Sequence, residues 1–549
     1  MVVLDTRFFL CVFSFALAGG FSPDIHLSYP LKAIAKNGFY SAVFFYVAYT
    51  LLSFLPMRAR EWSKNILLVL SLASAFLRFF MGYYFNMDIN QALMETLQDT
   101  NVHESLAFLK AHVLPHSALF LALLAFCALF LYFVRFKWVV SARGHILLLV
   151  LMSLGVGAHM GRTAYLSYQR GALGWSPPEI WETLPLIKET RALYFSLRYS
   201  TQVARQSLNH PFAKDYLRAD KESVPDVVLI VGESVSRNFM GVYGYALPNT
   251  PFLSSLKNRE RERSQNLFVF EDAISAFANT APVLQTLLNY SDVENRHTPW
   301  YLQRSLGDIF KLAGYQTFWL TNQNPAQANN AYKLLPKRFE SFYRTSSLDT
   351  SDQALLDLFE QKVKPQLGAK NAIVFHLIGS HILYHERFPK SFAKFSPAQI
   401  PTQGLHIKGK AQLQTLADYV NSIYYTDSVL RQIFKLFEKK DALILYLSDH
   451  AQDMFESGNT YGHRCSIYGV QIPFIIYVTD LFKQKHPSKV QQLAQAVHKP
   501  FMSDDLIHTL LPLVGIHTKD HLESKNLLSP KFDEKRKRIY CDDKVYPHP

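Results

Sequence analysis

Cysteine is scarce in this chain, with four among 549 residues. Rigidity therefore has to come from packed cores and not from a disulfide framework. Cys11 and Cys127 fall in apolar runs and read as small core residues. Cys465 and Cys541 fall in the more polar half. If that half lies outside the cytoplasm a disulfide is open to them, although spacing alone does not fix pairing. Charge is also sparse, at 18%, and acids are the minority, 44 against 57 Lys and Arg. The net charge of +13 comes without any basic stretch interleaved with aromatics, so no nucleic-acid groove is read; a membrane protein facing anionic lipid fits the balance. Internal repeats, low-complexity segments and a clear A-x-A cleavage site are all missing. What is abundant is grease: hydrophobic residues make up 49% and aromatics 14%. Most of it precedes residue 160, which divides the chain into a membrane part and a globular part.

Apolar run length gives five spans, roughly Phe8 to Phe21, Tyr40 to Leu55, Ile66 to Tyr84, Ala118 to Val139 and Ile146 to Met160. The first is short, but Asp5 and Arg7 flank it, so an uncleaved anchor is expected in place of a signal peptide. Arg58, Arg60 and Lys64 follow the second span, and Arg135, Lys137 and Arg143 follow the fourth. Both loops should be cytoplasmic, with Lys32 and Lys36 in mild disagreement. Everything after Met160 should then lie outside. The outer loop, MDINQALMETLQDTNVHESLAFL, reads as two amphipathic helices with Asn101 as a cap, serving as an interfacial lid or a lipid-access route. Residues 161–222 are aromatic-rich and read as interfacial bridging helices and a linker.

From residue 223 to 549 strands alternate with helical stretches, the pattern of an α/β domain with a mainly parallel sheet. Three apolar strands end in polar residues. DVVLIVGES ends at Glu233 and Ser234, NAIVFHLIGSH at His381, and DALILYLSDH at Asp449 and His450. Strand carboxyl ends are where open α/β sheets bind ligands. Each residue alone suits a capped turn. Together, carboxylates and imidazole suit Zn²⁺, or less well Mn²⁺, better than Ca²⁺. Asn279, Thr280 and Pro282 look like a helix start. Thr280 there is either a cap or a hydroxyl that a metal would activate. His376, inside a strand, reads as a buried hydrogen-bonded residue, His385 as a loop residue, and KFDEKRKR at 531–538 as a solvated face or a patch for anionic lipid.

These residues resemble a known family. V-G-E-S-x-S-R-N-F-M-G-V-Y-G-Y, Val231 to Tyr245, is similar to the opening motif of bacterial phosphoethanolamine transferases, five-span inner-membrane enzymes of the alkaline phosphatase and sulfatase superfamily. Asn279-Thr280, the segment Ala313 to Gln323, the segment His376 to Pro389, S-D-H at 448–450 and Y-G-H at 461–463 follow in the family's order. The resemblance covers nearly the whole chain. It implies an α-helical membrane domain over residues 1–160 followed by a periplasmic sulfatase-like α/β domain.

By resemblance, Glu233, Thr280, Asp449 and His450 would hold zinc, with a second ion open. Thr280 would attack phosphatidylethanolamine, leaving a phosphoethanolamine–threonine intermediate that passes to an envelope acceptor such as lipid A or lipopolysaccharide core. His381 and His463 would bind the transferred phosphate, protonate a leaving oxygen or hold the second metal. Asn322 and Gln323 would orient phosphate or head group. Membrane lipid is a partner and nucleic acid is not. The chain departs from the family at Ala451, where Gly is usual, and a left-handed backbone there would be strained. It also carries only two cysteines in the globular part, where some relatives have several disulfides. The alternatives are a glycerol-phosphate transferase of the lipoteichoic-acid-synthase type and a non-catalytic sensor keeping the fold. A sulfatase is disfavoured by T-A-P-V-L at 280–284.

Overall fold

The computed structural model describes residues 2–547, apart from 22–29, a scatter of positions within 86–107, and 170–182, 207–211, 214, 260–265, 296, 324–333, 346–350 and 542. Asn101 and much of the outer loop lie outside the described residues, as does part of the stretch read as bridging helices and linker, 170–182. The chain divides into two compact units, Met1–Met94 with His112–Arg198, and Glu95–Ala111 with Tyr199–Pro549.

In the first unit, strand β1 (Val2–Asp5) precedes helices α1 (Thr6–Gly19), α2 (Pro30–Leu52), α3 (Met57–Phe80) and α4 (Ser117–Phe133). Strand β2 (Lys137–Val140) follows, then α5 (Ala142–Gln169) and α6 (Ile187–Gln206). Among the described residues three helical stretches are long and apolar enough to cross a membrane: Met57–Phe85, Leu109–Phe133 and Ala142–Tyr165. The fourth apolar run stops being helical at Phe133, and residues 137–140 pair antiparallel with 2–5. Asp5 caps α1 by accepting from the Arg7 backbone N–H at 3.1 Å, and its carboxylate also takes Lys64 Nζ at 3.0 Å. At the start of α6, Glu189 accepts from Arg78 Nη2 at 3.1 Å and Ser74 Oγ at 2.7 Å. Arg78 thereby has the partner that a cation among apolar helices requires.

The second unit is built on a seven-stranded sheet. In chain order its strands are β3 (Asp226–Gly232), β4 (Leu267–Phe270), β5 (Gln316–Thr321), β6 (Ser341–Arg344), β7 (Asn371–His376), β8 (Ala442–Ser448) and, after a short hairpin, β11 (Phe474–Val478). Across the sheet they run β4-β11-β8-β3-β7-β5-β6, with only β11 antiparallel to its neighbours. The central strands are continuous apolar runs because both faces are covered. Val227, Leu229, Leu443 and Leu445 face one core, and Val228, Ile230, Ile444 and Tyr446 face the other. Helix α8 (Lys410–Phe437) buries Leu416, Val420 and Ile423 in the second core. Register places Gly232 beside Ser448, Val231 beside His376, and His376 beside Thr321. Four strands therefore end at one edge.

Cys465 and Cys541 are joined, closing a loop of 76 residues. The bond ties the carboxyl-terminal segment to the chain just after His463. A crosslink of that span limits the unfolded chain. Replacing Cys541 with Ser should lower the stability of this unit by about 2–4 kcal/mol, read as a shift in the denaturant midpoint of the oxidised protein. An unchanged midpoint would mean the segment is held by packing alone.

Candidate active site

The polar residues just beyond those strand ends meet. β3 delivers Glu233 and β8 delivers Asp449 and His450, all without solvent exposure. Helix α7 (Thr280–Leu287) brings Thr280 over the same edge, with Asn279 extended in the cap position. Asn279 makes no side-chain cap bond, and the Thr280 hydroxyl is not a cap either. It donates to Glu233 Oε2 at 3.1 Å and lies 3.2 Å from His450 Nε2. His450 Nε2 lies 3.3 Å from Glu233 Oε1 and 3.4 Å from Asp449 Oδ2. The His450 Nδ1–H donates to the Ala451 carbonyl at 3.0 Å, which turns Nε2 inward, toward Glu233 and Asp449.

This donor set fits a small divalent cation. Four ligands at the usual zinc distances in a tetrahedron stand about 3.3 Å from one another, close to the separations above. Asp449 Oδ1 accepts from the Ser234 and His450 N–H groups at 3.1 and 2.7 Å. Its Oδ2 is buried with no hydrogen-bond partner, which a native interior rarely tolerates. Glu233, Asp449 and His450 offer ligand atoms within 4.8 Å of one another, and so do Glu233, His381 and His463. Glu233 is common to both sets.

His463 arrives on a short hairpin of β9 (Asp453–Met454) and β10 (Tyr461–Gly462). Asp453 holds the hairpin by accepting from the Glu456 N–H at 3.1 Å and Ser466 Oγ at 2.6 Å. The His463 ring lies 4.5 Å from His450 and 6.2 Å from His381 between centroids. Both His381 and His463 are half-buried, on the open side of the cluster.

Electrostatics follow from burial and crowding. Burial opposes ionisation of Glu233, yet His450, His381 and His463 outweigh it and hold this carboxyl well below its usual range. Burial, with Glu233 alongside, pushes Asp449 up to about 8. Burial works against charge on His450, but Asp449 and Glu233 raise it to about 9. His376 is lowered to about 4 by burial and stays neutral beside Thr321 Oγ1, at 3.2 Å. His385 is exposed in its loop.

Asn322 and Gln323 follow β5 and are buried. Asn322 Nδ2 donates to Asp352 Oδ1 at 3.3 Å, and its Oδ1 accepts from Thr345 Oγ1 at 2.5 Å. Gln323 Nε2 donates to Glu233 Oε2 and to the Leu377 carbonyl, both at 2.9 Å. Ala451 lies outside the left-handed region, so the replacement of Gly brings no backbone strain; its N–H donates to the Gly469 carbonyl at 3.1 Å. Ser234, next to Glu233, does adopt a left-handed backbone, at φ 64°. Tyr419 of α8 brackets it, donating to the Ser234 carbonyl at 2.9 Å and accepting from the Ser236 N–H at 2.8 Å. Ser234 was visible as the polar end of a strand, whereas Asp352, Tyr419 and Gln452 support the site without any local sequence signal that singles them out.

Comparison with known proteins places this geometry. The family description Sulfatase matches residues 225–516, and Phosphoethanolamine transferase EptA/EptB matches 45–170. Phosphoethanolamine transferase EptC of Escherichia coli K12 is 29% identical over 323 residues, 56% of this chain and 54% of that protein. The chain thus matches about half the length of that relative. Phosphoethanolamine transferase EptA of Helicobacter pylori is 25% identical over 443 residues, 78% of this chain and 77% of that one. The periplasmic domain of E. coli EptC, solved in complex with Zn, superposes with a TM-score of 0.55 at 25% identity, covering 62% of this chain and 96% of that one. The membrane protein EptA of Neisseria meningitidis gives 0.63 at 20% identity, covering 95% and 97%, and so shares the fold along the chain.

Cation binding should depend on pH. In the metal-free protein Asp449 and His450 carry protons below about 8 and about 9, and a bound cation displaces them. Affinity for zinc should therefore fall as pH falls, by one to about two log units per pH unit below about 8. Chelator competition between pH 8 and 6 measures this, and a flat profile would contradict the ligand set.

Proposed function

The chain belongs to the sulfatase family, and on that footing we propose that it transfers phosphoethanolamine from phosphatidylethanolamine to an acceptor of the cell envelope. One observation carries the reading: a buried threonine hydroxyl, at a helix start, 3.1 Å from Glu233 and 3.2 Å from His450 in a cluster with an orphaned carboxylate oxygen. Glu233, Thr280, Asp449 and His450 would hold zinc. When bound, zinc lowers the pKa of the threonine hydroxyl and neutralises charge on the phosphoryl group.

Thr280 Oγ1, its proton lost to water under the lowered pKa, attacks phosphorus as the alkoxide, forming the Oγ–P bond as the bond from phosphorus to the diacylglycerol oxygen breaks, and the acceptor later displaces it as the alkoxide. His381 and His463, on the open side, take the free phosphoryl oxygens and supply the proton that the departing alkoxide needs. The acceptor oxygen then enters, loses its proton to one of these histidines, and Thr280 leaves. Lipid A or lipopolysaccharide core is the proposed acceptor. The three apolar helical stretches, together with the bridging helices, would anchor the catalytic domain at the outer face of a bacterial inner membrane.

Intact-mass measurement of the protein after incubation with phosphatidylethanolamine tests this. A phosphoethanolamine adduct should map to Thr280, and Thr280→Ala should lose both adduct and transfer, at least about a thousandfold in rate. Transfer at the full rate by the variant would overturn the mechanism. An adduct formed from phosphatidylglycerol alone would move the assignment to the glycerol-phosphate enzymes.

A further inference from the structure

Glu233 is the residue common to both candidate ligand sets, and its carboxylate is fixed from two sides. On one side Gln323 Nε2 donates to Oε2 at 2.9 Å. The same amide donates to the Leu377 carbonyl at 2.9 Å. Both neighbours only accept, so the amide's N–H₂ end must face them. On the other side Ser234 Oγ donates to Oε1 at 2.7 Å and accepts from Gln452 Nε2 at 2.9 Å. Gln323, Ser234 and Gln452 are all buried.

The backbone of Glu233 is held by a second path that begins at the neighbour of Gln323. Asn322 Nδ2 donates to Asp352, whose carboxylate also takes the N–H groups of Ile378 and Gly379 at 2.8 and 2.9 Å. Gly379, at φ 47°, lies so close that a Cβ there would sit 2.8 Å from the Glu233 carbonyl oxygen. The next residue, Ser380, donates its N–H to that carbonyl at 2.9 Å.

We infer that Gln323 is a positioning residue that holds the Glu233 carboxylate in its ligating orientation, with Ser234 and Gln452 as the opposing clamp, and does not read the substrate head group. Asn322 serves the same end through Asp352 and the Gly379 turn. Partners of this kind fix the plane of a ligating carboxylate and set how well a metal is held. The inference rests on the zinc reading of the site but not on the choice of lipid donor.

The test uses the full chain in detergent and the isosteric variant Gln323→Met. Zinc affinity is read by chelator competition, and the visible spectrum of the Co²⁺-substituted protein reports ligand geometry. Zinc affinity should fall by about ten- to a hundredfold and the Co²⁺ bands should change shape. With phosphatidylethanolamine, kcat should fall while KM stays. Unchanged zinc affinity and Co²⁺ spectrum with a raised KM would overturn the inference and make Gln323 a substrate contact. Should Gln323→Met lose its melting transition, Ser234→Ala tests the other oxygen: a roughly tenfold loss of zinc affinity supports the clamp, and no loss overturns it. Wild-type protein that binds no zinc at all would instead remove the parent reading.

Discussion

Two carboxylates and an imidazole are held out of water at one edge of the sheet, and that burial shapes the rest of the domain. Moving such charges into an interior costs several kcal/mol each unless they are paired and hydrogen-bonded. The metal-free cluster relieves the cost only in part. Glu233 stays ionised against protonated His450, while Oδ2 of Asp449 has no hydrogen-bond partner and its carboxyl takes up a proton easily. A divalent cation held by Glu233, Asp449 and His450 would relieve that cost, since it would supply the positive charge that the two carboxylates share.

The scaffold is arranged to keep that cluster from relaxing. Parallel pairing of β3 with β8 and β7 fixes where Glu233, Asp449 and the His381 turn begin. Tyr419 of α8 locks the left-handed Ser234 between the first two ligands. Strain of this kind, on the order of 1–3 kcal/mol, persists only where the surroundings over-determine it. His463 is brought in by a hairpin tied down by Asp453 and by a disulfide just beyond it. Thr280, Glu233, the Asp449–His450 pair, His381 and His463 thus come from separate elements that converge at one end of the sheet.

The parts of this arrangement legible in the sequence were those with local causes. D-V-V-L-I-V-G and A-L-I-L-Y-L-S read as buried strands because both faces of the sheet are covered, so their interior residues are apolar. The α7 start was visible in Asn279, Thr280 and Pro282. That the Thr280 hydroxyl turns away from capping was not visible, since it depends on Glu233 and His450 arriving from other strands. The bonds of Gln323 to Glu233 and the Leu377 carbonyl were not legible, because these partners are 90 and 54 residues away. The run to Val139 looked like one helix because periodicity cannot report that residues 137–140 pair with a strand at the other end of the unit. Ala451 would be strained only in a left-handed backbone, and it does not adopt one.

Four residues from three elements would form one metal-and-nucleophile centre. Diffraction from crystals of the zinc-loaded protein, recorded on both sides of the zinc absorption edge, would locate the ion. An anomalous peak is expected at ligand distance from Glu233, Thr280, Asp449 and His450 together. A peak held by Glu233, His381 and His463 alone, with Thr280 still hydrogen-bonded to an unliganded His450, would contradict it.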